Sequence, residues 1–501
     1  MAQRHELERY ARSTWLSFEA LVVPETGLPA DYIGAELEPG TRARYTSPSN
    51  IAMVLWATLA ARDLHVIPGT TALRRVSKVL DSLTKLERHD GSGQFYNWYD
   101  PSTLAKLTSW PEPPHAPVYP FASSVDNGWL ASALLMVANA MPAVRERALL
   151  LAHSMNFGCY HDAGARAAQN GVGLLRGGFW REGEAPPGSA LLPRADYAQL
   201  GETLVYTGHH YGAFNTETRI ASYLAIALGQ VPAAHYFAPW RTFPDTSAEA
   251  QGARPVGEWQ TYLGVRVFEG AYRYRGRRIV PSWGGSMFEA LMPALVVPEE
   301  QWGRDSWAVT HPLFVQSQIE FGLDEARYGY WGFSPAWAPE GGYREYGVPA
   351  LGMDPSGYPA DAQRHSVRPS AVPRRGRSVP FAKGNDYGQG VVTPHAAFLA
   401  LDFAPEATLE NLRALLRDFP ALYGAGGFKD SVNVATGQVA PRYLALDQGM
   451  VLAAIANALL QDQLQSYLAS TLRASLQPLM AMERFGAGED ASELDLAACG
   501  E

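Results

Sequence analysis

Apolar residues recur every three or four positions along almost the whole chain of 501 residues, and this periodicity constrains the fold more than any other feature. It predicts about a dozen helices, most of them in pairs. They cover residues 3–20, 46–61, 71–86, 126–141, 143–156, 214–229, 285–296, 304–322, 391–403, 407–417, 442–461 and 463–480. A chain of this length usually divides into two or three domains. No break in composition marks a boundary here, so the paired helices predict one all-α toroid.

Two segments depart from the helical pattern. Residues 261–276 read as a small β-hairpin, and residues 355–390, rich in Pro, Gly and Arg, read as a long loop. We expect both on the open face of the toroid. From residue 486 onward the chain carries five acids and no base, which predicts a disordered tail. The expected organisation is therefore one domain over residues 1–485 and an acidic tail over residues 486–501.

Composition excludes several classes of protein. Hydrophobic residues make up 47% of the chain, enough for a large core, and the net charge of −9 argues against nucleic acid as a partner. No apolar run reaches the roughly 18 residues that a membrane span needs. The charged start of the chain lacks a signal sequence, which predicts a cytoplasmic protein, or a periplasmic or secreted one if a signal has been removed.

Cofactor chemistry finds little support in the sequence. There is no GxSxG elbow, no phosphate-binding loop and no paired CxxC motif, and the two cysteines, Cys159 and Cys499, predict no disulfide framework. His209 and His210 are adjacent and so do not easily bind one metal ion together. We therefore expect neither a cofactor nor a metal.

Aromatic residues make up 11% of the chain and cluster beside Gly, Pro and Asn rather than in apolar stripes. Flat rings at such junctions suit the C–H faces of sugars, although core filling is the alternative for any one of them. An oligosaccharide or polysaccharide is therefore the expected partner. The segments that combine rings with polar residues offer these candidate sugar contacts: Tyr96, Trp98, Trp129, His210, Tyr211, Arg219, Trp283 and Trp331.

Four acids lie at the starts of apolar helices or inside them, where an unpaired carboxylate would be energetically unfavourable. Asp126, Glu217 and Asp447 fall at helix starts, and Glu289 lies within a helix. A carboxyl in dry, aromatic surroundings has a raised pKa, as a general acid at neutral pH requires. The alternatives are helix capping for the first three, including a capping box at Glu217 with Arg219, and an ion pair for Glu289.

Seven segments, taken in order, resemble the glycoamylase-like family of bacterial carbohydrate enzymes over residues 5–475. They are Thr46 to Ile51 with Ala60 to Leu64, Phe95 to Tyr99, Ser124 to Asp126, Asn215 to Arg219, Ser282 to Glu289, Gly341 to Pro349, and Pro441 to Gly449. The resemblance implies an (α/α)6 toroid and activity on β-1,2-glucan, as in endo-β-1,2-glucanases and the transglycosylating domain of cyclic β-1,2-glucan synthases.

The resemblance also implies roles for individual residues. Glu217 matches the general acid, and Asp126 matches an acidic position in the same cleft, so Asp126 or Asp447 is the expected base or part of its relay. Further expected substrate-binding or supporting positions are Glu289, Tyr343, Arg442 and Asp447. The synthases usually have Ser-Glu-Ala-Arg around the acid where this chain has Thr216-Glu217-Thr218-Arg219, which leaves the linkage and the acceptor open.

Several functions remain open from the sequence. Hydrolysis of β-1,2-glucan is the leading hypothesis, and transglycosylation that cyclises or elongates the glucan is its alternative. A glucan-binding protein without turnover, and a lyase acting on uronic acids through Tyr and basic residues, are further ones. Stereochemistry, chain-length preference and oligomeric state are not encoded in any pattern that we find.

Overall fold

The computed structural model describes residues 2–165, 172–197, 202–243, 254–353 and 390–490. Helices dominate this part of the chain, as the periodicity predicts. Their bounds are α1 (Ala2–Leu21), α2 (Pro48–Asp63), α3 (Gly69–Leu83), α4 (Ser124–Ala140), α5 (Arg145–His153), α6 (Arg219–Ala227), α7 (Met287–Leu291), α8 (Glu299–Trp302), α9 (Trp307–Glu320), α10 (Pro394–Leu399), α11 (Pro405–Asp418), α12 (Ala445–Leu460) and α13 (Gln463–Met482). The long loop predicted over residues 355–390 lies, apart from Gly390, outside the described residues.

Six helices follow one another around the core. Helix α2 contacts α4, α4 contacts α6, α7 contacts α10, α10 contacts α12, and α12 contacts α2. Helices α6 and α7 are joined by Arg219, which donates to the carbonyls of Glu289 and Ala290. Each of the six also has a neighbouring helix: α3 lies on α2, α5 on α4, α13 on α6 and α12, α9 on α7, and α11 on α10. The helices are therefore packed in pairs.

Glycines allow the closest approaches between these helices. A Cβ atom on Gly128 of α4 would lie 3.2 Å from the backbone of Ala221 in α6. A Cβ atom on Gly449 of α12 would lie 2.5 Å from the sulfur of Met53 in α2. Because protein interiors are close-packed, a larger residue at either glycine would push two helices of the core apart.

Two four-stranded antiparallel sheets accompany the helices, in the strand orders β2-β5-β7-β6 and β18-β10-β9-β8. The strands are β1 (Tyr32–Gly34), β2 (Ala122–Ser123), β3 (His161–Asp162), β4 (Leu174–Leu175), β5 (Gly178–Arg181), β6 (Arg194–Tyr197), β7 (Glu202–Tyr206), β8 (Val256–Tyr262), β9 (Val265–Tyr274), β10 (Arg277–Ile279), β11 (Ala336–Trp337), β12 (Tyr343–Arg344), β13 (Val391–Val392), β14 (Tyr423–Gly424), β15 (Gly427–Phe428), β16 (Val432–Asn433), β17 (Arg442–Leu444) and β18 (Gly488–Glu489).

The sheets correct the prediction of a single small hairpin. That hairpin exists as β8 and β9, but it is longer than expected and continues into β10 and β18. The other sheet is absent from the prediction because its strands are two to five residues long, and because β2 pairs with β5 and β5 with β7 across long intervening segments. Its remaining pair, β6 with β7, joins neighbours in the chain. Such short runs carry too little alternation to be distinguished from loops.

The folded part of the chain extends beyond the predicted domain end at residue 485. Strand β18 pairs with β10, and Arg273 forms an ion pair with Asp490 at 2.6 Å. The acidic residues at the start of the predicted tail therefore have basic partners in the sheet. Residues 491–501 lie outside the described residues. Within the described residues, every helix is too short or too polar to traverse a lipid bilayer.

Candidate active site

The N-terminal ends of α4, α6 and α7 bring three carboxyl groups together. Trp129 of α4 donates its indole N–H to the carboxyl of Glu217, which stands two residues before α6. The backbone N–H of Glu217 donates to Glu289 of α7 at 3.0 Å. Asp126, also on α4, accepts a hydrogen bond of 2.7 Å from Ser49 of α2. These contacts define a group of acids that we call the Glu217 group: Glu217, Glu289 and Asp126.

Serine caps orient two members of this group. Ser123 caps α4 by accepting from the backbone N–H of Asp126, and Ser286 caps α7 by accepting from that of Glu289. A Ser cap that binds the third residue of a helix is a favoured arrangement, because it pairs an N–H group that has no partner within the helix. Asp126 is therefore not the cap that the sequence allowed as an alternative. Its carboxylate is directed to Ser49 instead.

Glu217 is the most strongly perturbed acid of the group. Burial raises its pKa well above the usual value, and the negative charges of Glu289 and Asp126 raise it further. The Trp129 indole and the Arg219 guanidinium act in the opposite direction without cancelling the rise. The capping-box alternative for Glu217 does not hold, since its carboxyl contacts an indole N–H of another helix. These effects together favour the protonated form of the Glu217 carboxyl.

The sequence predicts Arg219 as a substrate contact, but its guanidinium is buried and binds only groups of the protein. Its Nε and Nη2 bind the carboxylate of Glu299 at 2.7 and 2.8 Å. Its remaining N–H groups bind the backbone carbonyls of Thr216, Glu289 and Ala290. A guanidinium has five N–H donors. These five contacts therefore use all of them inside the protein. Arg219 and Glu299 are both buried.

A second group of acids lies beside the start of α12. Asp31, Asp430 and Asp447 form this group, which we call the Asp447 group. Burial raises the pKa of Asp31 and of Asp430 to about 6, and that of Asp447 well above its usual value. The nearby charge of Asp430 adds to the rise at Asp447. Asp447 does not cap α12, and His395 of α10 lies 3.3 Å from its carboxyl.

Tyr343 on β12 lies between the two groups. Its side chain is 39% exposed, yet the surrounding protein desolvates the phenol and raises its pKa well above the usual value. The charges of Asp447, Glu345, Asp430 and Glu217 add to that rise. The phenol is therefore near enough to carboxyls of both groups for their charges to act on it.

Aromatic rings line the cleft next to the Asp447 group. We call these rings the aromatic wall: Tyr32, Tyr45, Trp98, Trp110 and Trp337. Successive ring centroids lie 4.4 to 6.1 Å apart. The guanidinium of Arg442 lies 4.1 Å from the ring centroid of Tyr32 and 3.6 Å from that of Trp337. Two of the predicted sugar contacts, Trp98 and Arg442, therefore lie at the aromatic wall.

Other predicted contacts lie elsewhere. Trp331, Tyr96 and Trp283 are buried at 2% exposure or less and belong to hydrophobic clusters, because large rings beside Gly or Asn can equally complete a core. His210 is held by Asp162 at 2.8 Å, and Tyr211 is half-buried against His209. Trp129 is buried but contacts Glu217.

The sequence analysis missed several residues of the cleft. Asp31, His395, Asp430, Trp110 and Trp337 were not among its candidates. The one available signal was the association of acids with rings, as at Tyr32 beside Asp31. Within the described ranges, no three His, Cys, Asp or Glu residues are arranged to hold a metal ion.

Comparison with protein families gives two matches. The Glycoamylase model, described as "Putative glucoamylase", matches residues 214–471, which is more than half of the chain. A model for a protein of unknown function, DUF3131, matches residues 9–158. The first match includes Glu217, Glu289, Tyr343, Asp430 and Asp447. Asp126 falls within the second.

A curated relative is the cyclic β-(1,2)-glucan synthase NdvB of Rhizobium meliloti (strain 1021). It is 27% identical over 556 aligned positions, which cover 92% of this chain and 18% of the relative. The chain thus spans less than a fifth of the length of that protein.

Solved structures with the same fold include three glucanases. The endo-β-1,2-glucanase of Chitinophaga pinensis, in complex with sophorotriose and glucose, has a TM-score of 0.62 at 16% identity, covering 95% of this chain and 98% of that one. The β-1,2-glucanase of Parabacteroides distasonis has a TM-score of 0.65 at 15% identity, covering 96% and 60%. The endo-β-1,2-glucanase of Talaromyces funiculosus with sophorose has a TM-score of 0.61 at 11% identity, covering 94% and 88%.

Proposed function

The chain belongs to the glycoamylase family, and from this premise we propose that it is a glycoside hydrolase that cleaves β-1,2-glucan with Glu217 as general acid. The observation that carries the proposal is the environment of Glu217. Burial and the charge of Glu289 raise its pKa well above the usual value and so favour its protonated form, while the Trp129 indole donates a hydrogen bond to its carboxyl. A glycosidic oxygen in the cleft would receive that proton as its bond to the anomeric carbon breaks.

The reaction needs a second carboxylate on the other face of the sugar. Asp126 and Asp447 are the two candidates. Asp126 belongs to the same group of acids as Glu217, and Asp447 belongs to the group across Tyr343. Carboxyls about 5–5.5 Å apart support a retaining mechanism, and a separation of about 6.5–9.5 Å leaves room for a water and inversion. We propose Asp447 as the base or the start of its relay, because a base acting from the opposite face must approach from across the cleft.

The aromatic wall supports a glucan as substrate. Half-buried rings such as Trp98, Trp110 and Trp337 can stack on sugar faces, and the Arg442 guanidinium beside them can donate to hydroxyl groups. The β-1,2 linkage is proposed from the glucanases that share the fold and from the synthase relative, whose names carry that linkage.

We also propose that the paired helices close as an (α/α)6 toroid. The support is the succession of contacts from α2 through α4, α6, α7, α10 and α12 back to α2, each with a neighbouring helix. A toroid places the start of each inner helix at one end, where the two groups of acids lie. A crystal structure with two concentric rings of six helices would test this arrangement.

Transglycosylation is the second candidate function. It is favoured by the synthase relative, which aligns with 92% of this chain. A sugar hydroxyl would then replace water as the attacking group, with the same proton donor. The residues around the acid site do not by themselves exclude either acceptor.

Incubation with linear β-1,2-glucan, beside β-1,3- and β-1,4-glucans, tests the proposal. We expect new reducing ends only with the β-1,2-linked polymer, and short oligosaccharides by mass spectrometry. Cyclic or lengthened glucans would identify the transglycosylase instead. Saturable glucan binding without any new product would indicate a binding protein, and an unsaturated product would indicate a lyase.

A further inference from the structure

The Asp447 group holds more carboxyl groups than its surroundings can neutralise. Asp430 and Asp447 are buried, and Asp31 beside them is half-buried. The cation whose charge acts on Asp31 and Asp430 is Arg442. His395 adds no positive charge, because burial lowers its pKa to about 3. Three ionised carboxylates beside one guanidinium would be strongly unfavourable in a buried site, so part of the group must be protonated.

The contacts of the group indicate where a proton is held. Asp430 Oδ2 accepts the backbone N–H of Trp337, whereas Asp430 Oδ1 and both carboxyl oxygens of Asp447 are buried and receive no donor from the described residues. The ring Nδ1 of His395, 3.3 Å from Asp447, is already engaged with Thr393 at 2.6 Å.

The carboxyl groups of Asp430 and Asp447 lie within hydrogen-bonding reach of each other. Two ionised carboxylates offer only acceptors to one another, so a hydrogen bond between them requires a proton on one of them. Buried acceptors in folded proteins almost always find a donor. A proton shared by Asp430 and Asp447 would supply one to the oxygens that otherwise lack it.

We propose that Asp430 and Asp447 hold one proton between their carboxyl groups, and that Asp430 is a positioning residue that keeps Asp447 oriented toward the cleft as half of this pair. The proposal deepens and rests on the proposed glucan-cleaving function. It assigns a role to Asp430, which stands 17 positions before Asp447 in the chain and which the sequence analysis did not single out.

The pair can act as the base of the proposed reaction because it carries one negative charge and can take up a second proton. As the oxygen of a water or sugar hydroxyl bonds to the anomeric carbon, the glycosidic bond breaks and its electron pair goes to the leaving oxygen. Glu217 gives its proton to that oxygen and becomes a carboxylate. The attacking oxygen gives its proton to the pair, which becomes neutral. Transfer of one proton from the pair to Glu217, through solvent, restores the starting state.

The activity test uses Asp430→Asn, Asp447→Asn and the double variant, with Asp324→Asn as a matched control on an exposed acid far from the cleft. In Asp430→Asn the new amide would keep the bond from Trp337 and offer Asp447 an N–H donor, so Asp447 would ionise more easily. In the plot of kcat against pH, we expect the apparent pKa of the acidic side to fall by about one unit or more in Asp430→Asn. We expect at least about a 100-fold loss of kcat in Asp447→Asn, and no further loss in the double variant.

Charged and titratable groups other than the pair also face it and are left unchanged in every variant: Asp31, Tyr343, His395 and Arg442. An unchanged apparent pKa of the acidic side in Asp430→Asn, or losses that simply multiply in the double variant, would overturn the pairing. A merely structural role for Asp430 would lower stability or kcat without moving that pKa.

A second measurement does not depend on glucan cleavage. The infrared absorption of protonated carboxyl groups is recorded at neutral pH for the parent protein and the variants. Asp430→Asn and Asp447→Asn should each lose the same component of this absorption relative to the parent, and the double variant should lose no more than either. If this component is lost but the parent protein cleaves no glucan, the proposed function fails and the pair stands. If Asp430→Asn leaves the absorption as in the parent, the pair is excluded.

Discussion

At the scale of single residues, the proposed active site places carboxyl groups where burial is unfavourable for their charges. The same burial raises the pKa that the proposed reaction uses. Glu217 and Glu289 meet in a space with little water, where each charge opposes the other. The backbone N–H of Glu217 stabilises Glu289, and the Trp129 indole stabilises Glu217. In the proposed reaction, this arrangement favours a proton on Glu217 that can pass to the substrate. It also means that the site costs free energy of folding.

Replacing Glu217 by Gln separates these two effects. We expect kcat on β-1,2-glucan to fall by about 10²–10⁴-fold, because general acid catalysis is lost. The midpoint of thermal unfolding at pH 8 should stay the same or rise, because folding then no longer requires the carboxyl either to take up a proton or to ionise beside Glu289, and the amide still accepts from Trp129. Activity assays and thermal melts check both parts, with the exposed Glu410→Gln as control. Near-normal turnover in Glu217→Gln would remove the residue from the role of proton donor.

At the scale of elements, short helices depend on contacts beyond their own length. Helices α6 and α7 have nine and five residues, too few to be stable alone. Arg219 joins them through backbone carbonyls and carries its charge against Glu299, which Tyr223 also contacts at 2.6 Å. The guanidinium of Arg219 therefore joins α6 to α7 through the backbone carbonyls, and its buried ion pair with Glu299 joins α6 to α8.

Arg219→Met should therefore destabilise the protein by about 3–5 kcal/mol, because it leaves the Glu299 carboxylate buried without its cation. Urea unfolding at neutral pH measures the loss. Combining Arg219→Met with Glu299→Gln should recover part of it, since the double variant leaves no unpaired charge. If the single and double variants lose the same stability, the ion pair is not what joins the elements.

The contact of α4 with α6 is a second test at this scale. Gly128→Val should cost about 1–3 kcal/mol through overpacking against Ala221, and should lower activity because α4 carries Trp129 and α6 follows Glu217. Gly69→Val is the matched control, because a Cβ atom at Gly69 has open space around it. Unfolding curves and glucan assays compare the two. Equal behaviour of the two variants would show that the helices do not rely on this close approach.

At the scale of the whole molecule, buried acids set the response to pH. Burial raises the pKa of Asp31 and Asp430 to about 6 and that of Glu300 to about 7. Each of these groups keeps a proton in the folded state at a pH where the unfolded chain has released it. The stability that they contribute is present below their unfolded pKa values near 4 and is lost as the pH rises through about 6 to 7.

The free energy of unfolding should accordingly decrease between about pH 6.5 and pH 8, the opposite of a protein dominated by exposed ion pairs. Below about pH 6.5 the buried His235, His311 and His395 offset part of this slope, because their pKa values are lowered by burial. Urea titrations at several pH values measure the slope. Glu300→Gln should make the slope up to about pH 7 shallower by about one proton, and the exposed Asp324→Asn should leave it unchanged. A stability that rises steadily from pH 6.5 to pH 8 would contradict the raised pKa values.

The sequence by itself determined the helices and the acid at the centre of the site. Repeats of three and four specify α3 and α11, and long apolar runs specify α2, α4 and α12, because a helix is formed by neighbours in the chain. The segment around Glu217 carries the family resemblance. Only the tertiary structure decided which side chains meet. It united Asp430 with Asp447 and Trp129 with Glu217, buried Trp331, turned Arg219 away from the cleft and paired the short strands. These outcomes depend on packing between segments far apart in the chain, and no local pattern records that packing.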